Sequence, residues 1–242
     1  MKTKRFVRPL IYVAVAVLLV VSSVLGTMAF LASSTAVSNT FTVGNVAIQM
    51  FESKTDKDGN DMDGDDKTSD GNSYELIPGK NYLKDPTIYV SAGSTPSYLF
   101  VKVKNGISTI EKEGDTTIKA QMLKLGWQLV KENAAGEELY LYVGLTGDAT
   151  NATAGIWDPA NTLSFKPVGS AHSESYDVFE SFTIKTETQV ADYAGAKVTL
   201  TAFAIQTEGF TEPKDGLQGY QLAWNAIVGR FPFESGTAFT AA

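Results

Sequence analysis

The hydrophobic positions of this chain change rhythm twice. From Leu10 to Leu31 there is no charged residue, and LIYVAVAVLLVVSSVLG (10–26) is an almost continuous apolar run. The stretch FLASSTAVSNT (30–40) is small, polar and weakly β-prone. From Phe41 the period becomes two: Phe41, Val43, Val46, Ile48 and Met50 alternate with small or polar residues around Gly44-Asn45, which predicts a strand with a bulge. Residues 54–73 hold one apolar side chain, Met62, and predict a loop. YELIP (74–78) followed by Gly79 predicts a short strand and a turn. Thr87–Val90 and Ser97–Lys104 predict strands joined by SAGSTP. In the second, Leu99, Val101 and Val103 form one strongly apolar face, opposite Tyr98, Phe100 and Lys102.

Further along, Asp115 is a candidate cap for a helix to Lys124, because Ile118, Met122 and Leu125 repeat at helical spacing. Trp127–Val130 and Glu138–Val143 predict a hairpin around ENAAGE. Thr162–Lys166, Val178–Lys185 and Lys197–Ile205 supply more strands, and 213–228 ends in a second helix with Leu217, Leu222, Trp224 and Ile227 loosely at helical spacing. Many short strands with one or two short helices, and no strand–helix–strand alternation, predict an all-β fold: an antiparallel two-sheet sandwich of the jelly-roll kind.

Charge changes the meaning of the first segment. The chain has 242 residues, 27 acidic and 20 basic side chains, and a formal charge of −7. Lys2, Lys4, Arg5 and Arg8 precede the apolar run with no acid among them, the pattern of an export signal with its cleavage after Ala29, before Phe30. The 22 uncharged residues would also span a bilayer if retained. Ser22, Ser23, Gly26 and the lack of a basic cluster after Leu31 favour cleavage. The organisation is then a signal peptide at 1–29, an extended segment at 30–40, a β domain at 41–228 with its acidic loop at 54–73, and a tail at 229–242. Losing four basic residues takes the exported part to −11, which argues against nucleic acid as a partner. Membrane contact is expected only through an uncleaved leader.

Candidate chemistry is sparse. There is no cysteine and a single histidine, His172, so thiol chemistry and zinc hydrolysis of the H-E-x-x-H type are excluded and no enzyme activity is expected. No G-x-S-x-G accompanies the serines around His172, which reads as a surface-loop residue. Asn151-Ala152-Thr153 fits a glycosylation sequon by coincidence of composition. Tyr98, Phe100, Trp127, Tyr140, Tyr142 and Trp157 would suit a sugar-binding face, but their alternation in strands favours a core role. The sharpest local feature is the acidic loop. Asp56, Asp58, Asp61, Asp63 and Asp65, with Asp66, Asp70 and interspersed Gly59 and Gly64, supply the oxygen ligands that calcium takes, although the EF-hand spacing fails at its sixth and twelfth positions. The same spacing fits a solvated insertion held extended by self-repulsion. No cofactor is required; calcium is the one cation the loop would take.

Four strings, in order, carry a family resemblance: GTMAF followed by SNTFTVGNVAIQM, with Asn39, Phe41, Gly44 and Val46; LIPGKNYLKDPTIYVSAGSTPSYLFVKV; Trp127 with the tyrosine strand after it; and VTLTAFAIQTEGF followed by Ala223-Trp224. Together they resemble the TasA/camelysin family of Gram-positive exported surface and biofilm-matrix proteins. The resemblance implies processing by a dedicated signal peptidase, a jelly-roll domain, and a place in the extracellular matrix or on the cell surface beside accessory matrix or cell-wall proteins. It also implies self-assembly into a homopolymeric fibre, with Phe30, Leu31, Ala32, Ser33, Ser34, Thr35, Ala36 and Val37 donated as a strand to the next subunit. The segment would equally serve as a disordered leader or as the domain's own edge strand. The competing expectation is a monomeric surface module that binds calcium or glycan.

Overall fold

The computed structural model describes residues 32–36, 39–41, 46–62, 64, 66–144, 168–170, 172–228 and 238–240, the stretch 32–41 by its backbone. The largest sheet has the order β2 (Asn39–Phe41), β1 (Ala32–Ala36), β12 (Val198–Gln206), β7 (Ser97–Asn105), β9 (Glu137–Tyr142), β8 (Trp127–Glu132). A second sheet runs β10 (Glu174–Asp177), β6 (Thr87–Val90), β3 (Ile48–Ser53), β4 (Lys67–Thr68), and β11 (Ser181–Thr183) pairs with β5 (Asn81–Leu83). Every pairing is antiparallel. Two α-helices, α1 (Ile118–Lys124) and α2 (Gly219–Val228), complete the described elements with a short 3-10 turn at Val190–Tyr193. The fold is the all-β, antiparallel, two-sheet arrangement expected from the strand pattern.

The core follows from the alternation. β7 and β12 pair along their whole length, from Ser97↔Gln206 to Asn105↔Val198. Leu99, Val101 and Val103 with Leu200, Ala202 and Ala204 turn to one side, where they bury against Ile48, Met50, Ile88 and Val90 of the smaller sheet. The opposite side was expected to be the weaker face. It is buried as well: Tyr98, Phe100, Phe203, Ile205, Leu139 and Leu141 lie under Tyr220, Ala223, Trp224 and Ile227 of α2, with Phe239. The sheet is apolar on both sides because its central strands carry two interleaved hydrophobic sets, the pattern of strands covered on both faces.

Local chemistry moves several boundaries. The first helix is capped by Thr117, whose hydroxyl accepts from the Ala120 N–H at 3.2 Å, and not by Asp115, which pairs instead with Lys124 at 2.9 Å. Tyr74–Pro78 does not form a strand. The Tyr82 hydroxyl accepts from the Ile77 N–H at 2.6 Å and donates to the Glu75 carbonyl at 2.7 Å, so a side chain replaces the ladder and the strand begins at Asn81. The loop 54–73 contains one short strand, β4, on the edge of β3. The bulge at Gly44-Asn45, the strand at 162–166, Trp157 and the Asn151 sequon lie outside the described residues.

Gly219, at the start of α2, marks the tightest approach in the outer layer. A Cβ there would stand 1.9 Å from the Phe210 carbonyl oxygen and 2.5 Å from the Tyr98 hydroxyl. That hydroxyl donates to the same Phe210 carbonyl at 2.8 Å, and burial pushes its pKa up to about 12. Gly219→Ala must therefore displace either the helix or backbone already fixed by Tyr98. The expected loss is about 1–3 kcal/mol in urea unfolding, with Gly209→Ala, in open space but at positive φ, as a control for generic glycine replacement.

Candidate functional site

The first candidate is the edge of the large sheet. β12 is flanked by β7 on one side and by β1 on the other, in register from Ala32↔Ile205 to Ala36↔Thr201. β2 then folds back on β1, pairing Ser34↔Phe41, Thr35↔Thr40 and Ala36↔Asn39. Ala202, Phe203, Ala204 and Ile205 are fully buried. Without β1, the outer N–H and C=O groups of this stretch would form an open ladder on a hydrophobic strand. Residues Ala32–Ala36 of the expected donor segment thus pair in cis within their own domain, between β12 and the edge strand β2. Phe30, Leu31 and Val37, and the expected Ala29–Phe30 cleavage junction, lie outside the described residues.

The acidic loop is held more tightly than self-repulsion predicts. Asp56 Oδ1 accepts from the N–H groups of Asp58 and Asn60, both at 2.9 Å, and its Oδ2 accepts from Asn60 Nδ2 at 3.1 Å. Those donors, Asn60's first, hold the Asp56 carboxyl below the usual range. Asp58 pairs with Lys80 at 3.0 Å, Lys57 with Glu75 at 2.7 Å, and Asp61 Oδ1 accepts from the Gly64 N–H at 3.1 Å. Gly59, at φ 75°, packs so closely on Tyr82 that a Cβ would meet its ring at 2.6 Å. Among the described residues no three acidic or histidine side chains converge to hold a metal ion. Asp63 and Asp65 lie outside those residues.

Beneath this loop is a polar cluster that the sequence reading missed. Glu52 and Lys84 are buried, their side chains 5% and 8% exposed, and pair at 2.5 Å between Oε2 and Nζ. The other oxygen of Glu52 accepts from Asn72 Nδ2 at 2.8 Å. Asn72 Nδ2 also donates to the Ser53 carbonyl at 2.8 Å, while its Oδ1 accepts from the Thr55 N–H at 2.9 Å. These three bonds fix which way the carboxamide points. Asp85 locks the neighbouring Ser53, accepting from its N–H and its hydroxyl at 2.7 Å each. Tyr74 closes one side, edge-on to Tyr82 and Phe182 and donating to the Leu83 carbonyl at 2.8 Å. Burial, and then the negative charge of Glu52, raises the Tyr74 pKa well above the usual phenol range. A signal for the cluster was present. Ile48, Met50 and Glu52 share the inward phase of β3, and Lys84, just past β5, continues the inward phase of Tyr82, so two opposite charges stand where core residues belong.

Elsewhere, His172 is exposed and its N–H donates to the Ser170 hydroxyl at 3.2 Å, as expected of a surface loop. Tyr98, Phe100, Trp127, Tyr140 and Tyr142 are buried, which assigns them to the core and not to a sugar face. No helix among the described residues is long and apolar enough to cross a membrane. No protein-family model, curated protein or solved structure matches the chain.

Proposed function

We propose that this chain is an exported structural subunit of an extracellular matrix or cell surface, one that assembles into fibres by exchanging its N-terminal strand between neighbouring copies. The observation that carries the reading is the five-residue ladder of β1 on β12. The strand ASSTA has little apolar surface, so its attachment rests on main-chain hydrogen bonds, each contributing about 0.5–1.5 kcal/mol. The identical ladder forms with β12 of another copy. Exchange from cis to trans therefore leaves the bond inventory unchanged, and subunit concentration against the effective concentration of the tethered strand decides the outcome. A head-to-tail exchange does not close on itself and gives a filament. The basic and apolar leader supplies the export route, and the absence of cysteine suits a fibre whose joints need no disulfides.

The test compares a chain starting at Phe30 with one starting at Phe41, by electron microscopy and light scattering over a range of concentrations. The longer form is expected to give filaments. The shorter form is expected to stay monomeric and to bind a peptide of residues 30–40, which should also stop growth of the longer form. Identical filaments from both chains, or a longer form that remains monomeric throughout, would refute the exchange.

A further inference from the structure

The cluster of buried Glu52 and Lys84 with half-buried Asn72 has the parts of an amide-forming centre, and we infer that it is a self-modification site, in which the Lys84 amine condenses with the Asn72 carboxamide to make an intramolecular isopeptide bond. A nucleophile, a leaving group and a proton carrier are all in place. Lys84 Nζ and Asn72 Nδ2 hang from the two oxygens of one carboxylate, at 2.5 and 2.8 Å. The Thr55 N–H already points at Asn72 Oδ1, the atom that takes negative charge when the carbonyl carbon is attacked. The Ser53 carbonyl accepts from the nitrogen that would depart, at 2.8 Å.

The chemistry balances without any outside reagent. Lys84 Nζ passes a proton to Glu52 Oε2 across their short contact, which leaves a neutral amine and a carboxylic acid. The Nζ lone pair, at the end of a flexible lysine stem, forms a bond to Asn72 Cγ, and the C=O pair moves to Oδ1 against the Thr55 N–H. Glu52 gives its proton to Nδ2. The Cγ–Nδ2 bond breaks, its electron pair leaves with the nitrogen as ammonia, and the carbonyl reforms. The new amide nitrogen sheds its extra proton to Glu52. A buried ion pair and a primary amide become a secondary amide, a neutral acid and one ammonia, with no change in oxidation state. Among the described residues Glu111 is also a buried carboxylate that holds an asparagine, and nothing comparable is poised there. Its oxygens are taken by Asn105 Nδ2 and the Ile118 N–H, with no amine between them.

The product would tie the acidic loop to the residue that follows β5, closing the chain from Asn72 to Lys84. In a domain without cysteine it would do the work of a disulfide.

Mass spectrometry of the folded chain starting at Phe30, after incubation at neutral pH and then denaturation, tests the inference. The intact mass is expected to fall short of the sequence mass by one ammonia. Trypsin, which cuts at Lys67, Lys80 and Lys102 but not at a modified Lys84, should release a branched peptide joining 68–80 to 81–102. Glu52→Gln, Lys84→Arg and Asn72→Ala should each restore the full sequence mass and, with cleavage after residue 84 regained, the separate peptides 68–80, 81–84 and 85–102. An unmodified wild-type mass with no branched peptide would overturn the inference, and that reading does not depend on any variant folding. Loss of ammonia that persists in Lys84→Arg, without a branched peptide, would also overturn it by assigning the loss to a succinimide at Asn72-Ser73.

Discussion

Trp224→Ala is expected to lower the stability of the domain by about 3–5 kcal/mol, the range for deleting a fully buried large aromatic side chain. Trp224 has no exposed surface. Its ring centroid lies 5.0 Å from that of Phe203, near perpendicular at 87°, and 5.0 Å from that of Phe100 at 47°. The residue therefore joins α2 to β12 and β7 together. A helix of ten residues is not stable alone, and α2 depends on this docking for its existence. The loss should accordingly appear in two ways. Urea unfolding at constant pH should show the lowered midpoint. A hydrophobic dye should bind the folded variant, because Tyr98, Phe100, Leu141 and Phe203 lose their cover on the sheet's outer side. A variant that lost less than about 1 kcal/mol and bound no dye would mean that the outer layer is not held by this residue.

The same outer layer shows where sequence reading stops. The strand runs Ser97–Lys104 and Lys197–Ile205, and the hairpin of Trp127 and Tyr140, are visible as period-two alternation because that period is set by the pleat alone. Whether both sides of a strand are buried depends on what lies across from it, and alternation reports only that the two sides differ. The nearly unbroken run KVTLTAFAI carried the stronger hint, since continuous apolar strands are those covered on both faces. Residues 30–40 showed a weak β preference, but pairing with β12 is a long-range event that no local pattern encodes. The packing of the acidic loop is hidden for a different reason: its ion pairs reach outside the run of aspartates, Lys80 to Asp58 and Lys57 to Glu75. The Glu52–Asn72–Lys84 cluster draws on three separate segments, and only the inward phase of Glu52 and Lys84 betrayed it.

Removal of the Glu111 carboxylate is expected to cost about 2–4 kcal/mol, because the buried Ile118 N–H and the half-buried Asn105 amide lose a charged acceptor at once. Glu111 is 4% exposed. One oxygen accepts from the Ile118 N–H at 2.9 Å and the other from Asn105 Nδ2 at 2.8 Å, while Asn105 Oδ1 accepts from the Ile107 N–H at 3.0 Å. Ile118 is the first residue of α1, so its N–H has no partner within the helix and depends on this carboxylate. The end of β7 and the start of α1 are thus tied through one side chain. Burial raises the Glu111 pKa above the usual carboxyl range; the donors at Ile118 and Asn105 offset part of the rise, and the charge of Glu138 adds to it. A carboxyl that holds its proton more tightly when folded stabilises the protein fully below its unfolded value, about 4.3, and loses that contribution as pH rises through the folded one. The deficit of Glu111→Ala against wild type should therefore be largest at acid pH and should shrink toward neutrality, though the lost hydrogen bonds keep it above zero. Glu111→Gln, which does not titrate but keeps an acceptor for Ile118, should show a smaller deficit with the same direction of change. Urea unfolding of the three proteins from pH 4 to 8 (a span set by the ordinary and raised carboxyl ranges, roughly) measures both. A deficit that grows with pH would mean that the ionised carboxylate, with its two donors, outweighs the penalty of its burial.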